Sequence, residues 1–379
     1  MRRASALLVP LFALALAVLP AGAQEAPDDE VDETVQRATG LYITAPFVRI
    51  HGAERVADLI RSSHMDTAVI DVRDAQSRVH IDTQVPELAE QETGMLGDTR
   101  ALIARLHELG VHVVARVVCF NDGGLAASHP DRAILDSRAH ARGRQRVWTS
   151  WGTGSAWLDP WDTRNHDMLV AFAREVEAYG FDEIQLDYIR FPVDDGTPYA
   201  YYPHEVEGVR RRDLLLGLLG RIDEAVRIPL GVDVFGIQAF WRGDQAGLGQ
   251  DLELWTQHVD VFTPMLYLNS MREWERGTQN RARRLVAIGV SRLRDRLGPR
   301  PVIRPFLQAF EEEAEDWGPG FIANQIRGAR TGGADGFLFW HPGSNYGMLQ
   351  RAMQGAAHSL SPFPVPHVRQ RARSEALGG

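Results

Sequence analysis

The run Gly180-Phe-Asp-Glu-Ile-Gln-Leu-Asp-Tyr-Ile-Arg-Phe-Pro192 of this 379-residue chain alternates polar and apolar residues over the length of a strand. Glu183, Gln185 and Asp187 share one parity, with isoleucine and leucine between them. Because side chains alternate faces along a strand, a strand that is covered by helices would turn these three polar groups towards an interior. Burying a carboxylate costs free energy unless it is paired or hydrated. The pattern therefore predicts a strand at the mouth of a barrel that opens onto a site. A solvent-facing edge strand is the alternative.

Eight strand-like runs alternate with helical patterns along the chain. The predicted strands are 40–48, 67–73, 111–120, 182–191, 228–235, 259–267, 301–310 and 335–341. The predicted helices are 53–63, 98–109, 163–179, 204–225, 248–257, a stretch within 272–297, and 319–331. Strict alternation implies a parallel sheet, and eight strands close it as an α/β fold, the (β/α)8 TIM barrel. An open doubly wound sheet is the rival, but it would more often carry a phosphate-binding glycine loop, and the sequence has none.

The two ends of the chain differ in composition from the part between them. Residues 1–23 have the charged, apolar and small-residue order of a cleaved signal peptide, which predicts a periplasmic or secreted protein. An uncleaved membrane anchor is the alternative, and no later segment reads as a membrane span. Residues 24–39 read as a flexible acidic lead-in, and residues 361–379 as a disordered tail. One domain is expected over residues 40–360.

Composition and motifs exclude several classes of function. The formal net charge of −9, without a long basic stripe before the tail, argues against nucleic acid as a partner. Cys119 is the only cysteine, so no disulfide framework forms. The chain has no H-E-x-x-H, C-x-x-C or G-x-S-x-G motif, and we expect neither a metal ion nor an organic cofactor. Nothing in the sequence indicates an oligomeric state.

The connection at 121–162 is much longer than an ordinary strand-to-helix loop, and we expect it at the carboxyl-end mouth of the barrel. It carries four of the nine tryptophans, Trp148, Trp151, Trp157 and Trp161. Aromatic faces stack on sugar rings, which makes Trp157 a candidate contact for substrate. In the alternative interpretation, the tryptophans only fix the loop to the barrel.

Polar and aromatic side chains at other strand ends converge on the same predicted mouth. Parity along each strand turns them inward, and catalytic barrels collect their functional residues at these ends. The predicted substrate-binding residues are Asp71, Arg73, Arg116, Trp157, Tyr188, Arg190, Tyr267, Gln308, Trp340 and His341.

Two carboxylates, Asp187 and Asp233, end the adjacent fourth and fifth strands at matching positions. Neighbouring strands lie about 4.8 Å apart, so the pair could flank one glycosidic bond at the roughly 5 Å separation of a retaining glycosidase, or at the wider inverting separation. We expect Asp187 to be the nucleophile, because arginine lies nearest to it in the sequence, and Asp233 to be the proton donor. In the alternative, one aspartate only forms a salt bridge with the buried arginines.

Five segments of the chain resemble a family of secreted bacterial barrels, formerly of unknown function, that are regarded as glycoside hydrolases and are distantly similar to the α-amylase type of barrel. The matching segments are Gly40-Leu-Tyr, Trp157-Leu-Asp-Pro160, Gly180 to Pro192, Val232-Asp-Val-Phe-Gly236 and Pro264-Met-Leu-Tyr267. The resemblance implies a (β/α)8 domain that acts on an extracellular or cell-envelope polysaccharide, with Asp187 as nucleophile. The α-amylase type of barrel has a glutamate as acid/base on the fifth strand, where this chain has Asp233.

Two hypotheses follow from these features. The first is a retaining glycoside hydrolase with a polysaccharide or oligosaccharide substrate. The second is a catalytically silent barrel that binds an envelope polysaccharide during its export.

Overall fold

The computed structural model describes residues 35, 37–244, 247–271, 274, 276–314 and 316–356. The predicted signal peptide at 1–23 and the predicted tail at 361–379 lie outside the described residues, as does most of the predicted lead-in at 24–39. No helix within the described part of the chain is both long and apolar enough to cross a membrane.

Eight parallel strands close into a barrel, which confirms the predicted (β/α)8 fold. They are β1 (Thr39–Ile43), β2 (Thr67–Arg73), β3 (His112–Val118), β4 (Glu183–Asp187), β5 (Leu230–Phe235), β6 (Val261–Met265), β7 in two pieces (Val302–Ile303 and Phe306–Gln308) and β8 (Phe337–Trp340). Phe306 closes the barrel because it pairs with Met265 of β6 and with Leu338 of β8. Pro305 interrupts β7, since proline has no N–H to donate to a ladder.

A helix follows each strand. The helices are α1 (Ala45–Ser62), α2 (Thr99–Glu108), α3 (Thr163–Tyr179), α4 (Arg211–Ala225), α5 (Leu252–Trp255), α6 (Arg281–Leu297), α7 (Pro319–Gly332) and α8 (Gly347–Ala356). Aspartates cap two of the long ones: Asp98 accepts a hydrogen bond from the N–H of Ala101 at 3.0 Å, and Asp162 from that of Arg164 at 3.0 Å. Gly180 ends α3 with a φ of 98°, a left-handed conformation that glycine adopts readily.

The predicted first strand at 40–48 is wrong in its second half. Strand β1 ends at Ile43, and α1 begins two residues later. The reason is local, because the hydroxyl of Thr44 accepts a hydrogen bond from the N–H of Phe47 at 3.3 Å and Pro46 follows in the first turn. Threonine followed by proline is a helix start, and it overrides the β-forming tendency of the residues around it.

In three other predicted elements, residues with a positive φ lie where the helix or strand was expected to continue. The helix predicted at 204–225 begins only at Arg211, and Gly208, with a φ of 81°, lies in the segment before it. The helix predicted at 248–257 is the single turn of α5, preceded by Gly249 with a φ of 79°. The strand predicted at 182–191 ends at Asp187, because Tyr188 takes a φ of 52°. A positive φ is incompatible with a regular helix or strand.

The inward parity predicted for the fourth strand is confirmed. Glu183 forms a fully buried ion pair with Arg304 of the opposite wall, and Gln185 donates a hydrogen bond to Asp233. Asp187 pairs with Arg116. The intervening isoleucine and leucine belong to the large core between sheet and helices, whereas a separate cluster of apolar side chains fills the barrel itself. Three polar positions on one strand thus run from the barrel floor to its mouth.

Candidate active site

A cavity of about 410 Å³ opens at the carboxyl ends of the strands. It is lined by Arg116, Asp187, Tyr188, Arg190, Asp233, Phe235, Gly236, Ile237, Met265, Tyr267, Asn269, Ser270, Met271, Phe306, Phe310 and Trp340. Its size suits a sugar ring or a similar small group, and barrel enzymes place their sites at this end.

Arg116 of β3 holds the charged groups together. Its Nη1 lies 2.6 Å from Oδ1 of Asp71, and its Nε lies 3.1 Å from Oδ2 of Asp187, to which Nη2 also donates. The same Nε lies 3.9 Å from Oδ2 of Asp233. Burial disfavours the charge on this guanidinium, but the carboxylates of Asp187 and Asp71 hold its pKa well above the ordinary value. One cation therefore serves three carboxyl groups.

Asp187 and Asp233 lie side by side on their two strands. The ladder between β4 and β5 pairs Gln185 with Gly231 and Leu186 with Val232, so the next position on each strand is an aspartate. Both Oδ2 atoms contact Nε of Arg116, at 3.1 Å and 3.9 Å, and their separation is therefore at most about 7 Å. That limit includes the roughly 5 Å between the carboxyl groups of retaining glycosidases.

The environments of these two carboxyl groups differ. Asp187 receives the guanidinium of Arg116 on Oδ2 and the N–H of Tyr188 on Oδ1, at 2.6 Å. Asp233 is buried, and burial together with the nearby charge of Asp187 raises its pKa well above the ordinary value, although Arg116 opposes the rise. The amide of Gln185 donates to its Oδ1. A buried carboxyl group with a raised pKa, next to a carboxyl group that a guanidinium contacts, is the arrangement that a general acid and a nucleophile require.

Tyr42 belongs to this cluster but was not among the predicted site residues. Its hydroxyl donates a hydrogen bond to Asp71, and its ring lies under the guanidinium of Arg116, 5.5 Å from the ring centroid. The parity rule could have found it, because Tyr42 shares the inward face of β1 with Gly40. Burial, and then the charge of Asp71, raises the pKa of the Tyr42 hydroxyl, so it stays protonated and donates.

An aromatic wall faces the carboxyl groups. Trp340 lies 6.0 Å from Tyr267, 5.4 Å from Phe310 and 5.9 Å from Tyr42, measured between ring centroids. Burial raises the pKa of Tyr267 well above the ordinary value, and the charges of Asp233 and Asp187 act in the same direction, which keeps its hydroxyl protonated. Aromatic faces of this kind bind the apolar face of a sugar ring.

The long connection at 121–162 adjoins the cavity wall from the β3 and β4 side. Its Trp157 is fully buried, 5.6 Å from the ring of Tyr188, and the guanidinium of Arg190 lies 4.6 Å from the Trp157 ring centroid. Trp148 and Trp161 are also buried, whereas Trp151 is 60% exposed beside a separate surface cleft. Among the residues that line the cavity, none of these four tryptophans appears. Trp157 supports the wall from behind.

Three other predicted binding residues lie away from the cavity lining. Arg73 is buried in an ion pair with Asp122. The amide of Gln308 donates to the carbonyl of Phe310 at 3.0 Å and holds the turn after β7. His341 is half-buried at the end of β8, where its Nδ1 accepts from the N–H of Gly343 at 3.0 Å. The structure thus brings together Asp71, Arg116, Asp187, Tyr188, Arg190, Asp233, Tyr267 and Trp340.

A family model described as "Putative glycosyl hydrolase domain" matches residues 40–346 of the chain. No curated protein matches the sequence. Among solved structures, the glycoside hydrolase domain of PgaB (BpsB) from Bordetella bronchiseptica superposes with a TM-score of 0.58 at 11% identity, covering 84% of this chain and 98% of that one. The α-galactosidase TtGalA from Thermus thermophilus, in complex with stachyose, gives a TM-score of 0.54 at 16% identity over 89% of this chain and 67% of that one. At these identities the two likenesses establish a shared fold.

Proposed function

Because the chain belongs to the family described as "Putative glycosyl hydrolase domain", we propose that it is a retaining glycoside hydrolase in which Asp187 is the nucleophile and Asp233 the proton donor. The observation that carries the proposal is the contrast between these two carboxyl groups. Asp187 is ion-paired with Arg116, whereas Asp233 is buried with a raised pKa. Both line one cavity, together with an aromatic wall.

The first step follows from this geometry. The carboxylate of Asp187 attacks the anomeric carbon of the bound sugar while Asp233 delivers its proton to the glycosidic oxygen, and the bond between that carbon and that oxygen breaks. The leaving sugar departs as a neutral alcohol. Asp233 is then ionised next to the guanidinium of Arg116, which lowers the free energy of the new charge.

The second step reverses the roles. The ionised Asp233 removes a proton from a water molecule, whose oxygen attacks the anomeric carbon and displaces Asp187. Asp187 regains its charge and its ion pair with Arg116, and Asp233 is protonated again. Two displacements at one carbon retain its configuration. Tyr42 and Asp71 position Arg116 from the opposite side throughout.

The proposed substrate class depends on the signal peptide that the sequence predicts at residues 1–23, because such a signal directs export of the protein. A protein that leaves the cytoplasm meets the polysaccharides of the periplasm, the cell envelope and the medium. We therefore assign an extracellular or cell-envelope polysaccharide as substrate. The cavity holds about 410 Å³, which accommodates one or two sugar units at the bond that is cleaved.

The test is the release of reducing ends from a panel of purified bacterial envelope glycans, with Asp187→Asn as the paired variant. The proposal predicts release by the wild type and none above background by the variant. A barrel that only binds glycan remains the competing function, and one observation favours it: both oxygens of Asp187 accept hydrogen bonds from the protein itself. Glycan binding by the wild type without release would establish that second function instead.

A further inference from the structure

Arg190 is a buried cation that lines the cavity, and no carboxylate of the described residues lies within ion-pair distance of it. The other arginines inside the barrel and its mouth are each paired: Arg73 with Asp122, Arg116 with Asp71 and Asp187, and Arg304 with Glu183. Within the described residues, Arg190 forms no ion pair, and the one hydrogen bond of its guanidinium goes to the neighbouring carbonyl of Phe191 at 3.1 Å. Its residue is only 4% exposed.

Aromatic rings surround this guanidinium. Its central carbon lies 4.6 Å from the ring centroid of Trp157, 5.1 Å from that of Tyr188 and 4.3 Å from that of Phe235. Burial lowers the pKa of Arg190, while Asp194 and Asp187 attract its charge without forming an ion pair with it. A guanidinium nevertheless stays protonated in proteins. The cavity wall therefore carries a permanent, largely desolvated positive charge. All but one of the N–H donors of this guanidinium make no hydrogen bond to the described part of the protein.

The three rings pack around the guanidinium and accept no conventional hydrogen bond from it. Its N–H groups that do not bond to the Phe191 carbonyl suit a planar, two-oxygen acceptor. Arg190 and Asp187 lie three residues apart and line the same cavity, so one sugar unit can reach both. Tyr188, between them, has a φ of 52°, and the strand ends just before it at Asp187.

We propose that Arg190 binds the carboxylate of an acidic sugar, so that the substrate is a carboxylate-bearing glycan. The carboxylate completes the ion pair that the protein leaves open, and the aromatic rings exclude water around it. The inference rests on the proposed function for the identity of the ligand as a glycan, but not on catalysis. A uronic acid and the lactyl ether of a muramic acid both supply this chemistry.

The experiment compares each acidic oligosaccharide with its own carboxyl-reduced form, in which the carboxylate has become a primary alcohol. The probes are oligosaccharides of hyaluronan, oligogalacturonates and peptide-free peptidoglycan fragments, in which the lactyl carboxyl group of muramic acid is free. Binding is measured by calorimetry on Asp187→Asn, so that turnover does not interfere. At least one acidic probe should bind roughly 10- to 100-fold more tightly than its reduced form, the gain typical of a charge-assisted bidentate contact. The identity of that probe separates uronic from muramic acid.

Variants assign the preference to its residue. On the same background, Arg190→Gln should abolish the preference and Arg190→Lys should restore part of it, since lysine keeps the charge but not the fork. Arg292→Gln is the matched control, because its guanidinium also lies on a ring, 5.2 Å from the centroid of Phe240, at an exposed position outside the cavity. It should leave the preference unchanged.

Two results overturn the inference, and both are distinct from failure of the proposed function. If no acidic probe binds better than its reduced form, the carboxylate is not recognised, even if neutral glycans are hydrolysed. If the preference survives in Arg190→Gln, another residue provides it. Conversely, a preference that depends on Arg190 in a wild type without any hydrolysis supports this inference and contradicts the hydrolase.

Discussion

Nε of Arg116 lies 3.1 Å from Oδ2 of Asp187, on the strand next to its own. This contact gives Asp187 a cationic partner, while burial and the nearby charge of Asp187 raise the pKa of its neighbour Asp233, to which we assign the protonated role. The assignment of nucleophile and acid therefore depends on one guanidinium, and it can be tested residue by residue.

Replacing Asp187 with Asn should lower turnover of a natural glycan by several orders of magnitude, because the amide keeps the shape but cannot attack the sugar carbon. Folding should be nearly unchanged, since Asp71 still pairs with Arg116. Initial rates of reducing-end release, alongside thermal unfolding as a control, measure both effects. A variant that keeps full activity would remove Asp187 from the mechanism.

Replacing Asp233 with Asn should hurt natural substrates most and aryl glycosides with good leaving groups least, because the latter need little proton donation. The raised pKa of Asp233 also predicts how turnover depends on pH. Wild-type turnover should fall as the pH rises through that pKa, because the proton donor then loses its proton. The variant should lack this alkaline limb. Equal losses on both kinds of substrate would contradict the division of roles.

The same raised pKa predicts a pH dependence of stability. The folded state favours protonated Asp233, so its contribution is present at low pH and is lost as the pH rises through the folded pKa. The free energy of unfolding of the wild type should therefore fall, relative to that of Asp233→Asn, as the pH rises. Chemical unfolding at several pH values measures the difference, and a difference that is constant with pH would show that Asp233 is not the titrating group.

Replacing Arg116 with Met should lower the free energy of unfolding by about 3–5 kcal/mol at neutral pH, because it leaves buried carboxylates without their cation. The loss should be smaller in mild acid, because burial raises the pKa of Asp71 and this carboxyl group can then take up a proton. Arg292→Met, at an exposed position, should stay within about 0.5 kcal/mol of the wild type. A small, pH-independent effect of the Arg116 change would mean that the cluster is well hydrated.

Two glycines offer opposite effects of one added methyl group. A Cβ at Gly231 would lie 2.9 Å from Oε1 of Glu183, which the ion pair with Arg304 holds in place, so Gly231→Ala should cost about 1–3 kcal/mol. Gly217 lies on the exposed face of α4 with no atom within 4 Å of such a Cβ, and Gly217→Ala should gain up to about 1 kcal/mol. Denaturant midpoints distinguish the two.

Parity along the strands predicted which charged side chains meet in the cavity, because inward-facing side chains at the strand ends of a closed barrel all point to the same mouth. Asp187, Arg116 and Asp233 lie together for that reason, and the alternation of eight strands with helices predicted the closure. Strand ends were less predictable. Tyr188 leaves β4 through a φ of 52°, and no periodicity in the sequence indicates a left-handed tyrosine.

The sequence also did not predict the contacts of residues whose neighbours come from distant parts of the chain. The parity of Arg73 along β2 predicts a side chain in the cavity. Arg73 instead forms a buried ion pair with Asp122, which lies just beyond β3. Trp157 lies in a loop that looked like a binding surface, yet it supports Tyr188 and Arg190 from behind. The spacing of residues along a strand predicts the face on which a side chain lies. The role of that side chain depends on the residues that it contacts on other elements, which the spacing does not predict.

The anomeric configuration of the first product shows whether Asp187 attacks the sugar. Proton NMR measures it during early turnover of a glycan that the wild type cleaves. Double displacement by Asp187, with Asp233 as acid and then base, predicts a product with the configuration of the substrate, formed by the wild type and absent with Asp187→Asn. A product of inverted configuration would show that water, and not Asp187, attacks the sugar, and would contradict the account.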